Sequence, residues 1–361
     1  MSSANQRMLA VVATASIILM FSSSAQAQAQ AQGGPLRWVK MAPFPEPEEE
    51  LYGVTANGKM YVIGGFGSAG KPAAAMVYEY DAATDQWTKK KPIPVPVHHQ
   101  VMAEYRGKIY VFGGCMRPLS GEGAGGWEPV DNAWEYDPAA DSWRALAPMP
   151  GKRCSAVAGE VGGKIYVIGG ATTEPGTIQT SMAATRPSRS LGTNEVYDPA
   201  TNKWETRKPM PTTRNHAFAG VVNGKIYVIG GRMGSSFIPV SSNTDIVEEY
   251  DPATDQWGAV RARMPTPRSG GGWATYGGKI YVAGGELQTP QLNAAFKAVE
   301  AYDPATNTWS ILPSMPITRH GVAGAFIGNR LHLVSGKIDS GGAPDVNLST
   351  GSHDVLEIPD R

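Results

Sequence analysis

An apolar stretch closed by a glycine pair returns so often in this chain that it dictates the kind of fold available. GKMYVIGG, ending at Gly65, recurs as GKIYVFGG, GKIYVIGG, GKIYVIGG and GKIYVAGG, ending at Gly114, Gly170, Gly231 and Gly285, and more weakly as NRLHLVSG, ending at Gly336. Downstream of the first five copies a Tyr is followed seven residues later by a Trp: Tyr80/Trp87, Tyr136/Trp143, Tyr197/Trp204, Tyr250/Trp257 and Tyr302/Trp309. Trp38 precedes the first copy. From each Trp to the second Gly of the next pair there are 27 residues, or 28 from Trp257 to Gly285, whereas the interval from glycine pair to Tyr varies from 15 to 27. Constant spacing with one elastic interval describes a supersecondary unit that packs on copies of itself.

Within the constant part, two short apolar runs flank Asn57-Gly58, Gly162-Gly163 or Asn223-Gly224, dipeptides suited to the φ > 0 positions of a tight hairpin. Between Tyr and Trp the chain reads DPATDQ, DPATNK or DPATNT, where Pro presets φ for a turn and Asp or Asn bonds nearby backbone N–H groups. Four strands per fifty residues predict an all-β chain built of propeller blades. The 43 Gly and 28 Pro fit a core interrupted by many turns.

The glycine pair, the Tyr and the Trp seven residues later resemble Kelch repeats, and they run through a domain placed at residues 35–361. The resemblance implies a six-bladed β-propeller with four antiparallel strands per blade. The strand around Leu36–Met41 is expected to complete the last blade beside Val355–Ile358 and so close the ring, with Ile358 where the other repeats carry Tyr.

Ahead of the repeats, Arg7, the apolar run Met8 to Phe21 and the small-x-small sequence Ala25-Gln26-Ala27 read as a signal peptide over residues 1–27. The fourteen residues of that run fall short of the ~20 that span a bilayer, so no membrane span is expected after cleavage. Residues 28–34, alternating Gln and Ala before Gly-Gly, read as a flexible tether. The expected address is outside the cytoplasm, which is the periplasm in a Gram-negative cell. With 32 basic and 32 acidic residues the formal charge is zero, which argues against nucleic acid as a partner.

In an up-and-down blade, the insertion between strands two and three and the linker to the next blade emerge on the same face. The linkers FPEPEEE, IPVPVHH, MPGKRCS, MPTTRNH, MPTPRSG and MPITRHG, aligned on their first Pro, place Glu48, Val97, Arg153, Arg214, Arg268 and Arg319 at one ring position and Glu49, His98, Cys154, Asn215, Ser269 and His320 at the next. The four arginines either bind an anionic ligand through paired hydrogen bonds or satisfy carbonyls of neighbouring blades. Glu48, Glu49 and Glu50 read as a solvated acidic edge or as partners of Arg319, with Glu48, Glu49, His98 and His320 as candidates for proton transfer. His98 and His99, being adjacent, are expected on opposite faces of a strand. His98 and His320 share a ring position with Glu48 and Glu49 between them in blade order, which leaves a mixed His/carboxylate site as an alternative, but no metal centre and no cofactor are expected.

Cys115 and Cys154 fall on the same face of neighbouring blades, where an exported chain permits a disulfide. Trp127 and Phe237 lie in insertions and are candidates for stacking on a ligand, and the longest insertion, 171–194, is placed over the channel mouth. The ligand-binding set is therefore Arg153, Arg214, Arg268, Arg319, His98, His320, Asn215, Trp127 and Phe237. Two functions are expected from the resemblance and these residues. One is a monomeric, exported binding protein for a protein, peptide or anionic carbohydrate. The other is a cofactor-free sugar-acid enzyme similar to the sialic acid mutarotases, with Arg214 and Arg268 as the carboxylate clamp. The copper chemistry of the galactose oxidases, which share Kelch-like propellers, is not expected, because no Tyr-His pair is present.

Overall fold

Every glycine-paired stretch is the second strand of a four-stranded antiparallel sheet, and six such sheets form the chain from Leu36 to Ile358. The computed structural model describes residues 35–67, 72–237, 241–289, 292–341 and 348–359. The expected leader, 1–27, and tether, 28–34, lie outside the described residues.

Blade 1 shows the pattern: Leu51–Ala56 innermost, then Lys59–Gly64, Met76–Asp81 and, outermost, Gln86–Lys89. The innermost strands of blades 2 to 6 are Val101–Tyr105, Val157–Val161, Phe218–Val222, Gly272–Tyr276 and Ala323–Ile327. In blade 6, Arg330–Val334 and His353–Glu357 follow, and Arg37–Lys40 supplies the outermost strand, in register Trp38 opposite Leu356. First and last strands of the domain therefore share one sheet, as expected from Trp38. The residue in the Tyr position is Leu356, not Ile358: Leu356 pairs with Leu331 and Trp38 as Tyr302 pairs with Ile280 and Trp309. The Tyr position of blade 6 thus falls two residues earlier than expected.

The second strands are apolar on both sides because they lie between blades. Met60, Val62, Ile63, Ile109, Val111, Ile165 and Val167 are all at most 1% exposed, and burying such side chains contributes about 1.5–3 kcal/mol each. The innermost strands approach one another closely. A Cβ on Gly324 would lie 2.8 Å from the backbone nitrogen of Trp273 in the preceding blade, so only glycine fits there.

The Tyr and Trp of each repeat tie one blade to the previous one. In blade 1 the Tyr80 hydroxyl donates to Asp85 Oδ1 (2.7 Å), which also accepts the Ala42 N–H (2.8 Å), while Trp87 Nε1 donates to the Ala42 carbonyl (3.0 Å). Asp141, Asn202, Asp255 and Asn307 repeat this role in blades 2 to 5, and all five sit in the left-handed region (φ 46–55°), which Asp and Asn tolerate best. At the closure, Trp38 Nε1 reaches the Pro313 carbonyl (3.2 Å). The channel enclosed by the six innermost strands holds about 380 Å³.

Candidate functional site at the loop end of the axis

Linker residues and post-glycine residues meet on one face, joined by antiparallel bridges His98 to Cys115, Cys154 to Ala171, Asn215 to Arg232, Ser269 to Glu286 and His320 to Lys337. One step further along each linker, Glu50, His99, Ser155, His216, Gly270 and Gly321 all adopt left-handed φ of 50–62°. Their backbones join at five of the six blade junctions: Ser155 N–H donates to His99 C=O, His216 to Ser155, Gly270 to His216 and Gly321 to Gly270, and Leu51 N–H donates to Gly321 C=O. This collar narrows the channel at its loop end.

The left-handed turn at His99 places its ring beside that of His98, centroids 4.7 Å apart, so the two do not occupy opposite faces of a strand. Over them lies an aromatic roof. Trp127 stands 4.6 Å from the His99 ring and 4.6 Å from Phe237, and Phe66 packs on both His98 (4.8 Å) and Trp127 (5.7 Å). Trp127 and Phe237 are thus brought together, half-buried, from blades 2 and 4 rather than standing out separately in solvent. The 171–194 insertion supports the roof: Met182 and Trp127 exchange both backbone hydrogen bonds (2.7 and 2.8 Å), and Arg186 donates to the Ala124 carbonyl (3.1 Å). Beneath, Cys115 and Cys154 form a disulfide, Cα to Cα 5.4 Å, as expected from the shared face.

The four arginines are elsewhere. Arg153, Arg214, Arg268 and Arg319 are at most 2% exposed and point back into their own blades. Each pairs with a carboxylate on the third strand, Glu195, Glu248, Glu300 and Asp354 respectively, at 2.5–2.7 Å. Each also donates to a second-strand carbonyl, of Val167, Val228, Val282 and Leu333. Their ligand-binding assignment is therefore corrected to an intrablade one. Blades 1 and 2 lack both partners together, with Glu48 and Tyr78, and Val97 and Trp134, in the two positions. The acid two residues before Tyr was the legible signal for this pairing.

The acidic linker does not serve Arg319. Glu50 Oε2 lies 3.1 Å from His99 Nε2, and Glu49 Oε2 lies 3.0 Å from His320 Nε2. His320 Nε2 is also 3.8 Å from Glu50 Oε1 and 3.8 Å from Glu286 Oε2. Glu286 is held on its other oxygen by Arg232 and accepts the Gly341 N–H (2.6 Å). Burial opposes charging His320, but Glu286, Glu49 and Glu50 together push its pKa up to about 10. Burial would raise Glu50, yet His99, His320 and Arg232 bring it down to about 2. His98 and His216 are held far below the usual imidazole value by burial and by neighbouring cations and imidazoles. Glu48 is raised by burial; its carboxylate accepts the Glu49 N–H, and its backbone contacts Ser335. Asn215 is internal, donating to Ser190 Oγ (2.7 Å) and the Ser235 carbonyl (3.1 Å).

Arg232 and Glu286 escaped the sequence reading although both directly follow a glycine pair. In the same column stand Phe66, Cys115, Ala171 and Lys337, so Cys115 already marked that position as facing the linkers. One ligand atom each from Glu49, Glu50 and His320 can be drawn within 4.8 Å of one another.

A six-bladed ring with Tyr/Trp ties between blades, closed by its first strand, defines a repeat propeller whose loop face carries the variable chemistry. The chain belongs to the Kelch-repeat family: the KLHDC2/KLHL20/DRC7 Kelch-repeats domain matches residues 36–205 and 146–336. It is similar to Kelch-like protein terF of Aspergillus terreus, 33% identical over 197 residues (54% of this chain, 40% of that protein), and to human Kelch-like protein 23, 28% identical over 280 residues (77% and 44%). The chain thus spans less than half the length of these relatives. The solved structure titled "Structure of YjhT" shares the fold, with a TM-score of 0.68 at 18% identity over 88% of this chain and 97% of that one. Kelch propellers are typically protein-interaction domains.

Proposed function

We propose that the protein is an exported Kelch-repeat binding module that holds a protein or peptide partner on its loop face. The observation that carries this reading is where large apolar side chains remain in water. Of the six such residues among the described ones, Leu119 (60% exposed), Ile178 (89%), Leu292 (51%) and Ile338 (39%) stand on the insertions of blades 2, 3, 5 and 6. Apolar tips arrayed on a rigid ring suit a partner that buries them together. The disulfide and the apolar run Met8 to Phe21 support an oxidising, exported compartment, the periplasm in a Gram-negative cell. With the four arginines engaged inside their blades, no preference for an anionic glycan follows from them.

The test is a photoreactive residue placed at Ile178 or Leu119, with Ile311, 80% exposed on an outermost strand, as the control. A defined partner crosslinked from positions 178 and 119 but not 311, and lost when Leu119, Ile178, Leu292 and Ile338 are changed to Ser, supports the reading. Equal crosslinking from position 311 refutes it.

A second reading, acid/base chemistry on a free sugar acid, is favoured by the Glu49 to His320 pair at 3.0 Å. The clamp it needs is not supplied by Arg214 and Arg268. Anomer exchange measured by NMR, with Glu49→Gln as control, decides it.

A further inference from the structure

The imidazole of His320 is fixed from behind. Its Nδ1 meets the Asp339 backbone carbonyl, and because a carbonyl only accepts, Nδ1 carries the hydrogen. Nε2, buried and in no aligned hydrogen bond, faces the oxygens of Glu49, Glu50 and Glu286, and offers a lone pair there once its proton is displaced. Ligand atoms of Glu49, Glu50 and His320, all within 4.8 Å of one another, repel unless a cation sits among them. A proton on Nε2 is one answer. The spacing suits a larger one.

A tetrahedral ion with bonds of about 2.1 Å needs ligand atoms about 3.4 Å apart. The separations from His320 Nε2 are 3.0 Å to Glu49 and 3.8 Å to Glu50. Three carboxylates and the Arg232 guanidinium sum to a local charge of −2, which one divalent ion cancels and one proton does not. Lys337 is turned to Asp339 (3.8 Å). The surroundings also match what metal ligands require: a backbone carbonyl behind the imidazole, His99 beside Glu50, and Arg232 and the Gly341 N–H orienting Glu286. Glu49, with 15% of its side chain exposed against 7% or less for the other three, is the point of entry.

We propose that Glu49, Glu50 and His320, backed by Glu286, form a binding site for one divalent transition-metal ion at the loop end of the propeller axis. One imidazole with carboxylates selects Zn²⁺, Mn²⁺, Fe²⁺ or Ni²⁺ over Ca²⁺ and Mg²⁺, which prefer all-oxygen cages. This proposal departs from the expectation that the chain holds no metal.

The experiment uses tag-free, full-length mature protein, stripped with EDTA and titrated with Mn²⁺, Zn²⁺ and Ca²⁺, with bound ion counted by elemental analysis after desalting. One equivalent of Zn²⁺ or Mn²⁺ per chain is expected, with at least a tenfold weaker affinity in Glu49→Gln and His320→Gln and no change in Glu122→Gln, an exposed acid of the blade 2 insertion. Visible absorption of Co²⁺ added to the unsubstituted protein reports a nitrogen-containing site without any variant, and circular dichroism checks that the variants fold. Absence of stoichiometric uptake by the unsubstituted protein overturns the proposal, as does uptake that survives both substitutions.

Discussion

Arg268 offers the sharpest test of whether the repeated arginines are internal fastenings. Its Nε donates to the Gly284 carbonyl (2.7 Å), Nη2 to Val282 (3.0 Å), and Nη1 to both Thr266 C=O (2.9 Å) and Glu300 Oε2 (2.5 Å), with the side chain fully buried. Replacing it with Met removes the charge and leaves Glu300, itself 2% exposed, with the Thr266 hydroxyl (2.6 Å) as its one remaining partner among the described residues. Breaking one side of a buried pair in this way costs about 3–5 kcal/mol, because the remaining charge is stranded. Glu300→Gln strands the guanidinium instead and should cost a similar amount. In the double variant neither charge is left, so the two losses should fail to add by about 2–3 kcal/mol. Equilibrium urea unfolding, followed through the Trp that each blade carries, measures all four corners of the cycle. Losses that add to within about 0.5 kcal/mol would refute the reasoning, since they mean that the partners do not depend on each other. A large loss of ligand affinity with unchanged stability would do the same, by returning Arg268 to the binding face.

Two further outcomes follow from buried groups elsewhere in the ring. His332 and His353 touch through Nδ1 and Nε2 (2.9 Å) at the seam where the first strand closes blade 6, and burial, followed by neighbouring cations and imidazole, lowers their pKa values to about 3 and about 4. The unfolded chain takes up these protons near pH 6.5 and the folded chain does not, so stability is complete above pH 6.5 and falls by about 3 kcal/mol for each histidine, about 6 kcal/mol for the pair, as pH drops toward 4. Thermal unfolding across that range should show the fall, and His332→Tyr, which restores the residue of the other five repeats, should flatten it in part. His98 and His216 act in the same sense, so a slope untouched by His332→Tyr would count against the seam. For the disulfide, closing a loop of 39 residues corresponds to about 4 kcal/mol in the chain-entropy picture. The Cys115→Ser/Cys154→Ser variant should lose most of that and unfold identically with and without reductant.

The architecture was legible because it is written in backbone constraints. Glycine pairs, Asn-Gly turns and the Tyr to Trp spacing each specify conformation locally, and repetition multiplied the signal six times. Pairing of Cys115 with Cys154 followed from the same bookkeeping of faces. What escaped was orientation. Aligning the linkers placed Arg153, Arg214, Arg268 and Arg319 at one ring height but not the direction of their side chains, which a carboxylate on the third strand decides. His99 was misjudged because a linker residue was treated as strand when the collar imposes left-handed φ on it. Arg232 and Glu286 sit on different blades from the residues they organise, so their contacts emerge only when the ring is closed.

The collar at the loop end joins N–H to C=O and asks nothing of the side chains that project from it. Its positions can therefore carry any group that tolerates a left-handed backbone. In this chain Glu50, His99, Ser155 and His216 furnish one arc while Gly270 and Gly321 leave the remainder bare. A frame that is nearly sixfold in its hydrogen bonding thus supports a lopsided set of acids and imidazoles. A chain built this way can rewrite the chemistry at its centre one residue at a time without reopening the ring.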